Sequence, residues 1–268
     1  MGMVGAGQLA RMTCPAAAAL GIGFRVLAAT EGDSAALVCA GAQTGDYRSA
    51  ADLLAFAGGC DVLTFDHEQV PAPVLAELER SGAVLRPGPA ALALTQDKLA
   101  MRERLTGSGV ACPAYAPVAS ERQVADFAAG HGWPVVLKAV SGGYDGKGVW
   151  VCDSPAAAAA VLSHGIALLA EEHVGFEREL AVLVARAPSG QGAAYPVVQT
   201  VQRDGVCREV LAPAPGLAPE TAMAAQRLGL AIAAELGVTG LLAVELLDRK
   251  STRLNSSHLA RSRMPSSA

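Results

Sequence analysis

The chain has 268 residues, 51% of them hydrophobic and 17% charged, enough to bury cores in two or three lobes. The net charge of −4 is uneven: Arg249, Lys250, Arg253, Arg261 and Arg263 stand in the last twenty residues with no acid among them. The body before them is therefore acidic, which excludes a non-specific nucleic-acid binder. No apolar run reaches membrane-span length, the start lacks a signal-peptide pattern, and six scattered cysteines without a Cys-x-x-Cys pair point to reduced thiols in a cytoplasmic protein.

In chain order, a short strand at 1–4 leads through a glycine turn into an Ala/Leu-rich helix at 8–20. An apolar strand follows at 24–29, with an ambiguous stretch at 38–40. A helix at 49–57, a strand at 61–65, a helix at 71–81 opened by Pro71, and a short strand at 84–85 complete the first third. Strands alternating with helices predict a parallel sheet wrapped by helices. Arg86-Pro87-Gly88-Pro89 punctuates the chain.

One or two helices are expected over 90–105. Ser120 and Gln123 form a capping-box pattern for a helix ending near Gly130. A buried strand at 134–138, a Gly-rich loop and a strand at 149–151 come next. A helix capped by Ser154-Pro155 and a strand at 168–170 follow. Strands at 179–184 and 195–201, a hairpin turn at Arg203-Asp204-Gly205, a helix at 219–236 and a strand at 240–247 complete the pattern. From 249 onward six serines and five cations show little hydrophobic patterning, which predicts a tail without structure. The stretch also resembles translated adaptor or vector sequence.

Five segments carry chemistry. Gly5-Ala6-Gly7-Gln8-Leu9-Ala10 is a Gly-x-Gly-x-x-Ala turn between strand and helix, with Glu31 about twenty residues on. It fits a dinucleotide fingerprint, a phosphate-binding turn for another ligand, or a structural turn. Arg11 is placed to clamp the same phosphate, or is simply a solvated helix charge. In Thr64-Phe65-Asp66-His67-Glu68-Gln69-Val70-Pro71, Glu68 lies beyond the carboxyl end of a strand, where α/β ligands bind. An ordinary loop acid is the alternative there.

Lys138 ends a buried strand, and Ser141-Gly142-Gly143-Tyr144-Asp145-Gly146-Lys147-Gly148 follows after two residues. Such a flap can wrap phosphates with its amides while Lys138 and Lys147 supply charge. No Gly-Lys-Ser/Thr occurs, so it is not a Walker A loop. Leu168 to Val174, then Glu179, run a strand into acids suited to a nucleoside, or to solvent. Glu245 interrupts the apolar strand Leu242 to Leu247, where a carboxylate is costly unless paired or metal-bound; Mg²⁺ on nucleotide phosphates is the natural partner.

The Gly-x-Gly-Gln-Leu-x-Arg-Met start, the Thr-Phe-Asp-His-Glu-Gln-Val-Pro segment, Thr95-Gln96-Asp97-Lys98, the loop Gly142 to Gly148 and strand-borne Glu245 together resemble the 5-(carboxyamino)imidazole ribonucleotide synthase family over residues 1–248. The resemblance implies an α/β ATP-grasp fold. Its parts would be a Rossmann-like pre-ATP-grasp substrate lobe at 1–95, a small ATP-grasp lobe at 96–175 and a partial central lobe at 176–248, with 249–268 as tail. It implies ATP, Mg²⁺, bicarbonate and 5-aminoimidazole ribonucleotide as ligands. A homodimer is implied for an intact member.

By that resemblance Lys98 and Lys138 hold ATP phosphates under Gly143, Tyr144, Asp145, Gly146, Lys147 and Gly148, with Lys138, Tyr144, Asp145 and Lys147 at the chemistry. Glu171, Glu172, His173 and Val174 line the adenine, and Glu179 takes the ribose. Gly7, Gln8, Leu9, Arg11 and Glu68 approach the aminoimidazole ribonucleotide, and Glu245 binds the metal. The family reaction carboxylates the exocyclic amine through carboxyphosphate, which the flap shields from water. Gln202 replaces the His of many members.

The family's second Mg²⁺ carboxylate and its substrate-phosphate segment have no counterpart after Asp248. The chain therefore reads as truncated, and is expected to bind ATP weakly and not to turn over. Two other readings remain. One is a different ATP-grasp ligase, such as a formate-using transformylase or a biotin carboxylase. The other is a nicotinamide-dinucleotide-binding protein, in which Lys138 to Gly148 would have no role.

Overall fold

A computed structural model describes residues 1–143, 148–203 and 205–249, and the backbone of 261–263. Three sheets organise it. The first is parallel, in the order β3-β2-β1-β4, from β1 (Gly2–Val4), β2 (Arg25–Ala28), β3 (Ala42–Thr44) and β4 (Leu63–Phe65). Alternating side chains go to opposite faces of such strands. Met3, Val26 and Ala28 pack with Ala10 of α1 (Gln8–Ala19) and with Cys39. Val4, Leu27, Leu63 and Phe65 pack with Leu53 and Phe56 of α2 (Ala50–Ala57) and Leu75 and Leu78 of α3 (Ala72–Arg80). The sheet is thus covered on both faces, as a parallel sheet requires. Of the strand expected at 84–85, a single parallel bridge from Leu85 to Leu63 forms.

The chain then runs through α4 (Pro89–Gln96) and α5 (Lys98–Gly107). They divide at Asp97, whose Oδ1 accepts the Ala100 amide at 2.9 Å and caps α5.

An antiparallel sheet in the order β5-β8-β6-β7 follows, from β5 (Tyr115–Val118), β6 (Val135–Ala139), β7 (Val149–Cys152) and β8 (Leu168–Glu172). Val135, Leu137, Leu168 and Ala170 bury one face against Val124 and Phe127 of α6 (Glu121–His131) and Ala158 and Val161 of α7 (Pro155–Leu162). The cap of α6 is nearly the expected box. Ser120 Oγ accepts the Gln123 amide at 3.3 Å, while Gln123 Oε1 reaches one residue further back, to the amide of Ala119 at 2.7 Å.

The largest sheet runs β12-β11-β9-β13-β14, with β10 beside β9. Its members are β9 (Arg178–Arg186), β10 (Gly192–Ala194), β11 (Val198–Arg203), β12 (Val206–Leu211), β13 (Gly240–Asp248) and β14 (Arg261–Arg263). Leu180, Val182, Val184, Leu242, Val244 and Leu246 bury one face with Ile232 and Ala233 of α8 (Pro219–Glu235). Gly229 lets α8 approach closely: a Cβ there would lie 2.7 Å from Val182 Cγ1. β14 was not expected. It lies inside the stretch read as a structureless tail, and pairs antiparallel with Ala243, Val244 and Glu245. No helix among the described residues is long and apolar enough to cross a membrane.

Candidate active site

The elements above bring the predicted residues to three places. The first is a cleft of about 330 Å³ lined by Tyr47, Arg48, Glu68, Gln69, Thr95, Gln96, Lys98, Ser141, Gly142 and Gly143. It joins the parallel-sheet lobe to the start of α5 and the base of the Gly-rich loop. The sequence assigns Lys98, Glu68 and Gly143 to two different ligands, and here they line one cleft. The Lys98 amide donates to the Val140 carbonyl at 2.9 Å, tying the lysine to the strand end from which the loop leaves. Glu68 Oε2 is buried and accepts no hydrogen bond, so it offers an acceptor to a donor in the cleft. Tyr47 and Arg48 escaped the sequence reading. Tyr47 Oη donates to Gln69 Oε1 at 3.1 Å, and Arg48 Nη2 donates to Tyr47 Oη at 3.1 Å.

The second place is the face of the β5-β8-β6-β7 sheet opposite α6 and α7, which α5 reaches through Arg102. Lys138 and Glu171 are 3% and 2% exposed and form a buried ion pair. Arg102 of α5, 4% exposed, donates from Nε to Glu171 Oε1 at 2.8 Å. Burial pushes the Glu171 carboxyl upward, but the charges of Lys138 and Arg102 outweigh it and hold the group at about 2. Glu171, expected beside the adenine, thus has its carboxylate committed within the protein. Glu172 and Val174 are half-buried and His173 is exposed.

The third place is the uncovered face of the large sheet. In β13, Leu242, Val244 and Leu246 are buried and Glu245 lies on the opposite face. Glu245 pairs with Ala181 and Leu247 with Glu179, so Glu245 and Glu179 lie on one face as diagonal neighbours, their Cα atoms roughly 7–8 Å apart. Magnesium commonly takes one or two carboxylates and leaves its remaining positions to phosphates and water. Glu245, as one carboxylate on that face, fits that mode. A cluster of three metal-ligating residues is absent among the described residues, so this face does not fit a metal held by protein alone.

The Gly-x-Gly turn differs from expectation. The Gly7 amide, read as a phosphate donor, donates instead to Asp66 Oδ2 at 2.6 Å. Asp66 is 1% exposed, and burial raises its carboxyl above the usual range while the Gly7 and Ala10 amides pull it back. Arg11 is exposed and donates to the Ser34 carbonyl at 2.9 Å. Gln8 is exposed and Leu9 half-buried, and none of Gly7, Gln8, Leu9 or Arg11 lines the cleft. Gly148 keeps φ at +80° beside Ala139, while Tyr144, Asp145, Gly146 and Lys147 lie outside the described residues.

Two antiparallel sheets, each bearing charged residues on the face opposite its helices and with a Gly-rich loop between strands of one, joined to a parallel-sheet lobe, define an ATP-grasp architecture. Residues 103–262 match the ATP-grasp domain model and residues 1–96 the ribonucleotide synthetase preATP-grasp domain model. The chain belongs to the ATP-grasp family, as a homologue of the N5-carboxyaminoimidazole ribonucleotide synthases.

It is 51% identical over 262 residues to that synthase of Mycobacterium tuberculosis, covering 96% of this chain and 61% of the relative. It is 50% identical over 248 residues to that of Corynebacterium ammoniagenes, covering 91% and 60%. The chain thus spans about three fifths of the length of these curated relatives. The crystal structure of the synthetase from Thermus thermophilus is similar with a TM-score of 0.86 at 29% identity, over 98% of this chain and 70% of that one. The Aspergillus clavatus synthase, solved with ADP and 5-aminoimidazole ribonucleotide, gives 0.87 at 26% identity, over 98% and 68%.

Proposed function

We propose that this chain carries the nucleotide- and substrate-binding residues of an ATP- and bicarbonate-dependent ligase that carboxylates the exocyclic amine of 5-aminoimidazole ribonucleotide in purine biosynthesis. The observation that carries the reading is that Glu68, Lys98 and the base of the glycine loop line one cleft. A carboxylate acceptor suits an amine, while an ammonium and loop amides suit phosphate oxygens, so two reactants can meet there.

In this reading Lys98 and Lys138 neutralise ATP phosphates, and the loop from Gly143 to Gly148 closes over them. Residues 171–174 border the adenine and Glu179 takes the ribose. Gly7, Gln8, Leu9 and Arg11 support the substrate lobe, and Glu68 orients the amine. Glu245 would hold Mg²⁺, which when bound supplies charge neutralisation at the phosphates. Tyr144, Asp145 and Lys147 exclude water and stabilise charge on carboxyphosphate. Bicarbonate enters as co-substrate, and an intact enzyme assembles as a cytoplasmic homodimer.

Isothermal titration of the full chain tests the reading. ATP with Mg²⁺ and 5-aminoimidazole ribonucleotide are each expected to bind, and NAD(H) is not. Binding of ribose 5-phosphate as tightly as the aminoimidazole ribonucleotide would refute the substrate. Binding of NAD(H) in place of ATP would restore the dinucleotide reading.

A further inference from the structure

Gln96, the last residue of α4, donates from one side-chain nitrogen to two main-chain carbonyls: that of Glu68 at 2.6 Å and that of Val70 at 2.7 Å. Only the NH₂ end of an amide can face two carbonyls, so the side chain's orientation is fixed, with both hydrogens used. The bonds join residues 26 and 28 positions apart, from the segment between lobes to the loop bearing Glu68. Two residues later the Lys98 amide holds the Val140 carbonyl, at the root of the glycine loop. Residues 96–98 thus tie down the two loops that face each other across the cleft. Gln96 itself lines that cleft.

We infer that Gln96 is a positioning residue: it clamps the 68–70 loop so that the buried, unpartnered Oε2 of Glu68 is presented to an amine-bearing substrate opposite Lys98. Beyond Gln96, residues 68–70 are held by one bond from Tyr47 Oη to Gln69 and by the burial of Val70. Gln69 is exposed, and its amide donates only locally, to His67 Nδ1 at 3.1 Å. A carboxylate on an unclamped loop would turn to water, because a buried oxygen without a donor is unfavourable. The clamp keeps it dry until a ligand donor arrives, which is preorganisation. With both Gln96 hydrogens donated, only its Oε1 remains to meet the ligand, so Gln96 presents an acceptor there. The substrate side of this inference rests on the function proposed above.

Hydrogen exchange on the ligand-free full chain tests the clamp without reference to any substrate. Gln96→Leu removes the donors. Gln96→Glu keeps the shape and sets an oxygen against two carbonyls. Amides at 66–70 are expected to exchange at least tenfold faster in both variants, with α3 and α8 unchanged. Wild-type exchange in the loop overturns the clamp, as does acceleration spread equally over α3 and α8. In titrations, 5-aminoimidazole ribonucleotide should bind at least tenfold more weakly to both variants while the Kd for ATP stays within twofold. Equal weakening of both ligands, or of neither, overturns the positioning role. Failure of the wild-type chain to bind the ribonucleotide removes the substrate reading, and the exchange result still decides the clamp.

Discussion

Arg102 Nε lies 2.8 Å from Glu171 Oε1, and this contact joins the two ATP-grasp sheets. Met101 and Leu105, its neighbours on α5, are buried in the core of the large sheet, whereas Glu171 belongs to β8 of the smaller one. With Lys138 on its other oxygen, Glu171 has a cation at each. Removing Arg102 leaves Lys138 to compensate the charge but deprives one buried carboxylate oxygen of its charged donor, which costs about 1.5–3 kcal/mol. Arg102→Met is therefore expected to lower the unfolding free energy by roughly that amount in urea titrations. A loss no larger than that of an exposed pair such as Arg122–Asp126 would show that the contact is not formed.

The same carboxylate sets a pH dependence. Glu171 is held at about 2 against an ordinary 4.5, so the folded state binds its proton less readily than the unfolded chain. Its stabilisation is complete above pH 4.5 and fades as the pH falls towards 2. The amount is on the order of 3 kcal/mol. Asp66 has the opposite sign: burial raises it above 3.8, so its cost appears as the pH rises from 3.8 through its folded value. Unfolding free energies measured from pH 7 to 2 should fall less steeply below pH 4.5 in Glu171→Gln than in the wild type. Parallel curves would contradict the assignment.

Gly5 carries the geometry of the first turn. Its φ is +100°, and a Cβ there would lie 2.7 Å from Asp66 Cβ. Gly5→Ala combines strain with overpacking, each of which costs about 1–3 kcal/mol. It should also push Asp66 off the Gly7 amide. Asp66→Asn keeps an acceptor for that amide without a buried charge, and should be the milder change at pH 7. Calorimetry on the two variants checks the order, and a Gly5→Ala protein melting at the wild-type temperature would refute the close approach.

What was legible in the sequence follows from burial. β6 and β13 stood out as apolar runs because their buried faces demand them, and Glu245 stood out because a carboxylate interrupts one. β3 was missed because Ala42 and Thr44 are exposed on an edge strand with no apolar signal. Arg102 was missed because, between Met101 and Glu103-Arg104, it reads as one more solvated helix charge; only the tertiary fold places it against Glu171. Gln96 belongs to the Thr95-Gln96-Asp97-Lys98 motif, but a side chain bonding to carbonyls far back in the chain leaves no local pattern. The Gly7 turn misled for the same reason. Its free amide is a local property of the motif, and the residue that takes it, Asp66, is 59 positions away.

Glu245 offers the sharpest test of the metal assignment. It shares the uncovered face of the large sheet with Glu179, and β14 pairs with its backbone on the far side. If it holds Mg²⁺ only together with nucleotide phosphates, its removal should affect metal-dependent nucleotide binding alone. Glu245→Gln keeps the shape and the strand pairing while removing one charge from a ligand set of one or two carboxylates. ATP affinity with Mg²⁺ present should fall by about tenfold, equivalent to about 1.4 kcal/mol, and ATP affinity in EDTA should not change. Glu179→Gln separates the two acids: as a ribose ligand it should weaken ATP binding equally with and without metal. If Glu245→Gln behaves that way instead, the carboxylate touches the nucleotide and not the ion.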